Sequence, residues 1–190
     1  VELEDLLGRE SVSLDDAGLH ELLTERVVMV SGAGGSIGSE LCRQIIRLRP
    51  TRLVLMELSE FALYTIEQEL TSLCARMGAE VEIVALLGSV IHQRRDEMAM
   101  KSFGVQTVYH AAAYKHVPLM EQHNEIEALR TNVQGTLNAA RVAGEVGAAR
   151  FVLISTDKAV NPTNVMGASK RLAEQVVQAV AGEYPGTRYV

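Results

Sequence analysis

The stretch that most constrains the fold is RVVMVSGAGGSIG, residues 26–38. A β-branched apolar run breaking off into glycines reads as a buried strand entering a tight turn, and the spacing after it reads as a helix. Gly32, Gly35 and Gly38 stand at G-x-x-G-x-x-G spacing, and Gly34 adds a further position without a Cβ. Such glycines let the backbone approach a pyrophosphate, whose charge the amides and dipole of the following helix then hold. Alone, the string is also what a flexible turn looks like. Its setting decides: a strand before, a helix after, and an acid, Glu57, ending a second strand about 20 residues on. Glu57 is placed to accept hydrogen bonds from the adenosine ribose hydroxyls and to repel a 2′-phosphate, and Leu58 rather than arginine follows it. Both features favour NAD over NADP.

The remainder repeats the same unit. Further strands are expected at 52–57, 80–88, 105–113 and 150–156, with a shorter one opening at 187–190. Helices are expected at 39–49, 60–78, 92–104, 124–147 and 164–184. Strands alternating with helices predict an α/β fold, a Rossmann-like doubly wound parallel sheet covered on both faces. With 190 residues, 47% of them hydrophobic and 22% charged, the chain has material for one globular domain. That domain is placed at 26–190; residues 1–25 are acidic and irregular, with a short helix near LDDAGLHELL. The net charge of −6 argues against a large nucleic-acid surface. Cys42 and Cys74 fall in helical patterns without metal-like spacing and read as reduced core or helix-face residues; no metal site is expected. No apolar run reaches the roughly 20 residues that span a bilayer. The chain opens on Val1 and ends in TRYV, so a longer protein is expected around it.

The segment STDKAVNPTNVMGASK, 155–170, ends in M-x-x-x-K. Many nicotinamide-dependent enzymes carry Y-x-x-x-K at that spacing, with the tyrosine as catalytic acid/base. Methionine has no exchangeable proton, so either the chemistry is lost or another group supplies it.

Taken with SGAGGSIGSELCRQI, SEFALYTIEQEL, HAAAYKHVPLME and TNVQGTLNAA, this segment resembles the extended short-chain dehydrogenase/reductases of polysaccharide biosynthesis. The nearest branch is the UDP-N-acetylglucosamine 4,6-dehydratases. The resemblance covers 27–190, and EDLLGRESVSLD (4–15) is similar to the segment that joins the family's membrane-anchored N-terminal part to its catalytic domain. It implies transmembrane helices upstream, a cytoplasmic domain at the inner face of the bacterial plasma membrane, and a C-terminal lobe downstream that completes the UDP-sugar pocket. A homo-oligomer, dimer or larger, is implied through helices 124–147 and 164–184. Two positions depart from the family: Glu57 where aspartate is usual, and Ser89 in GSV where G-D-V puts an adenine-contacting aspartate.

What the resemblance implies for the site follows residue by residue. Gly32, Gly34, Gly35, Ser36, Ile37, Gly38, Glu57, Ser59, Glu60, Ser89, Val90, Ala111, Ala112, Ala113, Ser155 and Lys170 would hold the dinucleotide. Asp157 would assist loss of the sugar's C6 hydroxyl, Lys158 would take the C5 proton, and Thr156 would hydrogen-bond the 4-oxygen. Lys170, one helical turn from Met166, would hold the nicotinamide ribose. Methionine at 166 is read as a variant of this branch, leaving the C4 hydroxyl proton to Asp157, Lys158 or a relay through the ribose and Lys170. Lys115, His116 and Asn161 are expected at the substrate; His110 is expected to be structural, and Asn132 to shape the site. His20, His92 and His123 are expected at the surface. Two other functions remain open, a nucleotide-sugar 4-epimerase and a non-catalytic NAD-binding module.

Overall fold

The computed structural model describes residues 16–190, so the 4–15 segment lies outside the described residues. Among the described residues six parallel strands are present: β1 (Val27–Ser31), β2 (Arg52–Glu57), β3 (Glu82–Leu87), β4 (Thr107–His110), β5 (Arg150–Leu153) and β6 (Arg188–Tyr189). They lie in the order β3-β2-β1-β4-β5-β6, with Val30 paired to Leu55 on one side and Tyr109 on the other. The chain therefore works outward from β1 in one direction, then returns to β4 and works outward in the other. The carboxyl ends of β1 and β4 diverge into a crevice, where open α/β sheets bind ligands.

Strand residues alternate between two cores. Val28, Val30, Leu53 and Leu55 face helices α1 (Asp16–Leu23), α2 (Ser36–Arg47) and α3 (Glu60–Met77), packing on Leu23, Cys42, Ile46, Ile66 and Leu70. Met29, Val54, Val108 and Phe151 face the other way, onto Ala99 and Met100 of α4 (Gln93–Phe103) and onto two longer C-terminal helices. Burial on both faces explains why β1 and β2 read as continuous apolar runs. Each such side chain taken fully out of water contributes about 1.5–3 kcal/mol. Leu23 is among them, so α1 packs against the same core as the strands. Ser59 caps α3, accepting a hydrogen bond from the Ala62 amide, and Gly78 closes it at φ 57°.

The expected helix over 124–147 is interrupted. It begins as α6 (Glu125–Ala128), widens into a π segment (Leu129–Gln134), and resumes as α7 (Gly135–Glu145). A short helix, α5 (Val117–Met120), precedes it, and a 3-10 turn (Asp157–Ala159) separates β5 from α8 (Val165–Glu183). Among the described residues no helix is long and apolar enough to cross a membrane.

Candidate active site

The glycine turn after β1 forms one wall of the crevice and the Ala111–Ala113 loop after β4 the other. Gly32 has φ 70°, and a Cβ there would lie 2.7 Å from both N and Cα of Ala112. The two loops thus meet backbone to backbone, and no L side chain fits at that point. Bare backbone floors a cavity of about 290 Å³ lined by Gly32, Gly34, Gly35, Glu57, Ser89, Val90 and Ala111–Ala113. A slot floored by glycines, opening at the start of α2 and closed by an acid, suits a dinucleotide. Glu57 itself is already engaged: its Oε2 accepts the Gly34 amide at 2.9 Å, and its Oε1 the amides of Leu58 and Ser59 at 2.8 and 3.0 Å. The longer arm of glutamate lets the carboxylate fold back and staple the glycine turn to the end of β2.

A second cavity, about 320 Å³, continues from the first through Ala111, Ala113 and Tyr114. Its further lining includes Ile37, Lys115, Ser155, Thr156, Lys158, Met166 and Lys170. Asp157 does not line it. That side chain is 87% exposed on the 3-10 turn, accepting from the Thr156 hydroxyl at 3.0 Å and ion-paired with Lys158 at 3.5 Å. The Thr156 hydroxyl and then the Lys158 ammonium hold its carboxyl below the usual range. The turn sits tightly on α8: a Cβ at Gly167 would lie 2.3 Å from the Lys158 carbonyl oxygen, so the glycine after Met166 lets the Asp157–Lys158 turn approach the helix.

Lys170 is buried, 6% exposed, and donates to the Ile154 carbonyl at 2.6 Å. Burial pulls its pKa down to about 8, against a smaller opposing pull from the Glu174 carboxylate. Met166, 3% exposed, stands one turn earlier on the same face.

Behind the cavity runs a buried polar chain. The Thr136 hydroxyl donates its one proton to the Asn132 carbonyl at 2.7 Å, so His110 Nε2, 3.1 Å away, is the donor to Thr136. His110 Nδ1 then accepts from the Ser31 hydroxyl at 2.7 Å. The network assigns one tautomer, a neutral imidazole, and full burial followed by the Lys170 charge pulls its pKa down to about 3. Asn132, turned inward by the π segment, accepts the Tyr114 amide at 2.8 Å and donates to the Tyr114 carbonyl at 3.0 Å and to the Ser169 hydroxyl at 2.9 Å. Ser169 in turn donates to the Met166 carbonyl. The chain fixes the spacing between β1, the β4 loop and α8.

The remaining expected residues fall outside both cavities. Ser36 opens α2 and accepts from Lys115 Nζ, so Lys115 reaches across the groove to the helix start instead of standing free in it. Gly38 is buried within α2, Ser59 caps α3, and Glu60 is its exposed first residue. His116 is exposed at the start of α5, and Asn161 is exposed at φ 48°, a conformation asparagine tolerates. His20, His92 and His123 are exposed, as expected, and of the two places open to them Cys42 and Cys74 take the core. Sequence reasoning missed Tyr114, which lines both cavities, and Ser31, Thr136 and Ser169. The signal for Tyr114 was its place between Ala113 and Lys115; nothing in the local sequence marks the other three.

Known proteins show the same architecture. The chain is 47% identical over its whole length to the capsular polysaccharide biosynthesis protein CapD of Staphylococcus aureus, spanning 31% of that protein. Over 80% of the chain it is 29% identical to a UDP-N-acetylglucosamine 4,6-dehydratase (inverting) of Campylobacter jejuni, spanning 42% of it. Over 84% it is 31% identical to a UDP-glucose 4-epimerase of Rickettsia canadensis, spanning 45% of that relative. The chain thus spans less than half the length of each. Among solved structures, Pen from Bacillus thuringiensis matches at TM-score 0.77 and 25% identity, over 88% of this chain and 50% of that one. A dTDP-glucose 4,6-dehydratase from Streptomyces venezuelae, solved with NAD, shares the fold at TM-score 0.70 and 22% identity, over 85% of this chain and 53% of its own. The family model described as polysaccharide biosynthesis protein matches residues 28–190, and the chain belongs to that family, within the extended short-chain dehydrogenase/reductases.

Proposed function

We propose that the chain is the NAD-binding part of a nucleotide-sugar 4,6-dehydratase that converts UDP-N-acetylglucosamine to a UDP-4-keto-6-deoxy sugar. NAD is the cofactor, held by the glycine turn and Glu57. Bound there, its nicotinamide would supply the acceptor for hydride from sugar C4 and the donor of that hydride to C6, a cycle with no net redox change. The observation that carries the reading is the Asp157–Lys158 pair at the mouth of the Lys170 cavity. Once C4 is a ketone, the C5 proton is acidic, and elimination of the C6 hydroxyl needs one base and one acid.

An aspartate and a lysine 3.5 Å apart hold the right number of protons between them. As an ion pair they are carboxylate and ammonium; as a neutral pair, carboxylic acid and amine. Exposed to water the ion pair wins, and desolvation beneath a bound sugar shifts the balance to the neutral pair. Asp157 then protonates the departing C6 hydroxyl, Lys158 takes the C5 proton, and Thr156 hydrogen-bonds the 4-oxygen. A 4-epimerase, the alternative that relatives of both kinds leave open, returns hydride to C4 with the C5–H bond intact and has no use for a base at C5. A membrane-anchored whole protein that assembles as a homo-oligomer and works in capsule or other surface-glycan synthesis completes the proposal.

The test is Asp157→Asn and Lys158→Ala in the full-length chain. Both variants are expected to keep NAD affinity and to lose about 10²–10⁴ in turnover. Loss of NAD binding in both contradicts these roles.

A further inference from the structure

We infer that Lys170 itself, as the neutral amine, takes the proton from the sugar's C4 hydroxyl, doing the work a tyrosine at 166 would otherwise do. The inference rests on the dehydratase reading and names the base for its first step.

The cavity around Met166 holds few groups able to accept a proton. The Ser155 hydroxyl is committed to Glu174 at 2.6 Å, and the Thr156 hydroxyl to Asp157 at 3.0 Å. Lys115 is tied to Ser36 on the opposite wall. Asp157 is the acid of the later elimination, and its carboxyl, held below the usual range, is a weak base. Lys158 is ion-paired, and its lone pair is needed at C5 in the following step. That leaves the phenol of Tyr114, a residue 39% exposed, and Lys170, enclosed by Met166, Ile154 and the floor of the groove; of the two, only Lys170 is buried and on the α8 face that Met166 shares.

Its setting fits a base working near neutrality. Burial favours the uncharged amine, and a pKa near 8 leaves about a tenth of it neutral at pH 7. The Ile154 carbonyl accepts one N–H and fixes the nitrogen. The apolar Met166 beside it adds to the desolvation that a phenol would relieve with a hydrogen bond. The charged and titratable groups around Lys170 are few. Glu174 on the same helix is itself paired with Arg171 and Ser155. From β4 comes His110, neutral by its tautomer, and from the loops at the cavity come Tyr114, Lys115 and Lys158. Only Glu174 pulls toward the ammonium, and burial outweighs it. The step balances: the O–H bond breaks as an N–H bond forms at Nζ, while the C4 hydrogen leaves with its electron pair to an oxidised nicotinamide. The new ammonium then stands beside the 4-ketone, where it stabilises the enolate formed on loss of the C5 proton.

Lysine and arginine separate this role from ribose binding, because arginine keeps the cation but has no accessible neutral form. Lys170→Arg, Lys170→Met and Tyr114→Phe are compared in the full-length chain at saturating NAD, with occupancy read by fluorescence. Hydride transfer from UDP-N-acetylglucosamine is followed in a single turnover, and the wild-type Nζ is titrated by ¹⁵N NMR. The expected results are an Nζ that titrates near 8, and a wild-type rate that falls about tenfold per pH unit below that point. Lys170→Arg keeps NAD bound but loses about 10²–10⁴ in hydride transfer, Lys170→Met regains part of its rate with added methylamine, and Tyr114→Phe keeps hydride transfer and its pH dependence at a rate set by the altered cavity wall. Hydride transfer that survives in both Lys170 variants, loss of it in Tyr114→Phe alone, or an Nζ titrating above 10 overturns the assignment and leaves the dehydratase reading standing. A wild-type chain that binds NAD yet never oxidises the sugar overturns both.

Discussion

Glu57 Oε2 lies 2.9 Å from the Gly34 amide nitrogen, joining the end of β2 to the glycine turn. Glu57 therefore shapes the cofactor slot before it touches any cofactor. Glu57→Gln is expected to weaken NAD binding about tenfold, since a charged acceptor is worth more than a neutral one to the three amides it serves. It is also expected to narrow the preference over NADP, because the charge facing the 2′-phosphate is gone. Dissociation constants for the two dinucleotides check both.

Gly32 is held at φ 70° against the Ala112 backbone, whereas a Cβ at Gly182, exposed near the end of α8, would meet nothing within 4 Å. Gly32→Ala is expected to abolish NAD binding and to cost at least about 1–3 kcal/mol in stability. Gly182→Ala is expected to stabilise by about 0.5–1 kcal/mol and to leave binding unchanged. Thermal unfolding with and without NAD compares them.

Asp96, on α4, is fully buried and neither carboxylate oxygen has a hydrogen-bond partner. Burial raises its pKa to about 8, from an ordinary value of 3.8. The folded state therefore holds a proton that the unfolded state releases, and stability falls as pH rises from about 4 toward 8. Across that window the slope is about 1.4 kcal/mol per pH unit, levelling off above it. Asp96→Leu removes the dependence. Its advantage in denaturant midpoint over wild type should grow from pH 4 to 8 and then stay constant; an advantage independent of pH would show that the carboxyl is partnered in solution.

The Ser31–His110–Thr136 part of the buried chain predicts a positional effect. Ser31→Ala leaves His110 Nδ1 without a donor, a loss of about 1–3 kcal/mol. The Asn132–Ser169–Met166 links stay in place, so hydride transfer should fall less than stability does.

The fold was legible because β1 and β2 are buried on both faces and the glycines after β1 sit between periodic segments; local pattern and tertiary role agree there. The boundaries at the site were less so. Asn132 reads as a helix residue, and only packing against Tyr114 and Ser169 shows why a π segment turns it inward. Glu57 read as a ribose ligand because the acid's position is a sequence property, whereas its reach to the Gly34 amide is a matter of side-chain length in three dimensions. Asp96 lies in an amphipathic helix where an acid suggests solvent, and only the completed core reveals it as buried. Asp157 and Lys158 were found together by adjacency, but their exposure depends on how the 3-10 turn seats on Gly167.

The proposed dehydration stands or falls on where the hydrogen at sugar C4 ends up. UDP-N-acetylglucosamine carrying deuterium at C4 would be incubated with the full-length protein and NAD, and the product examined by mass spectrometry and NMR. The account predicts a 4-keto-6-deoxy sugar, 18 Da lighter by loss of one water (about 18 Da), with the deuterium in its 6-methyl group. A product of unchanged mass with deuterium still on an inverted C4 would contradict it and make the chain an epimerase.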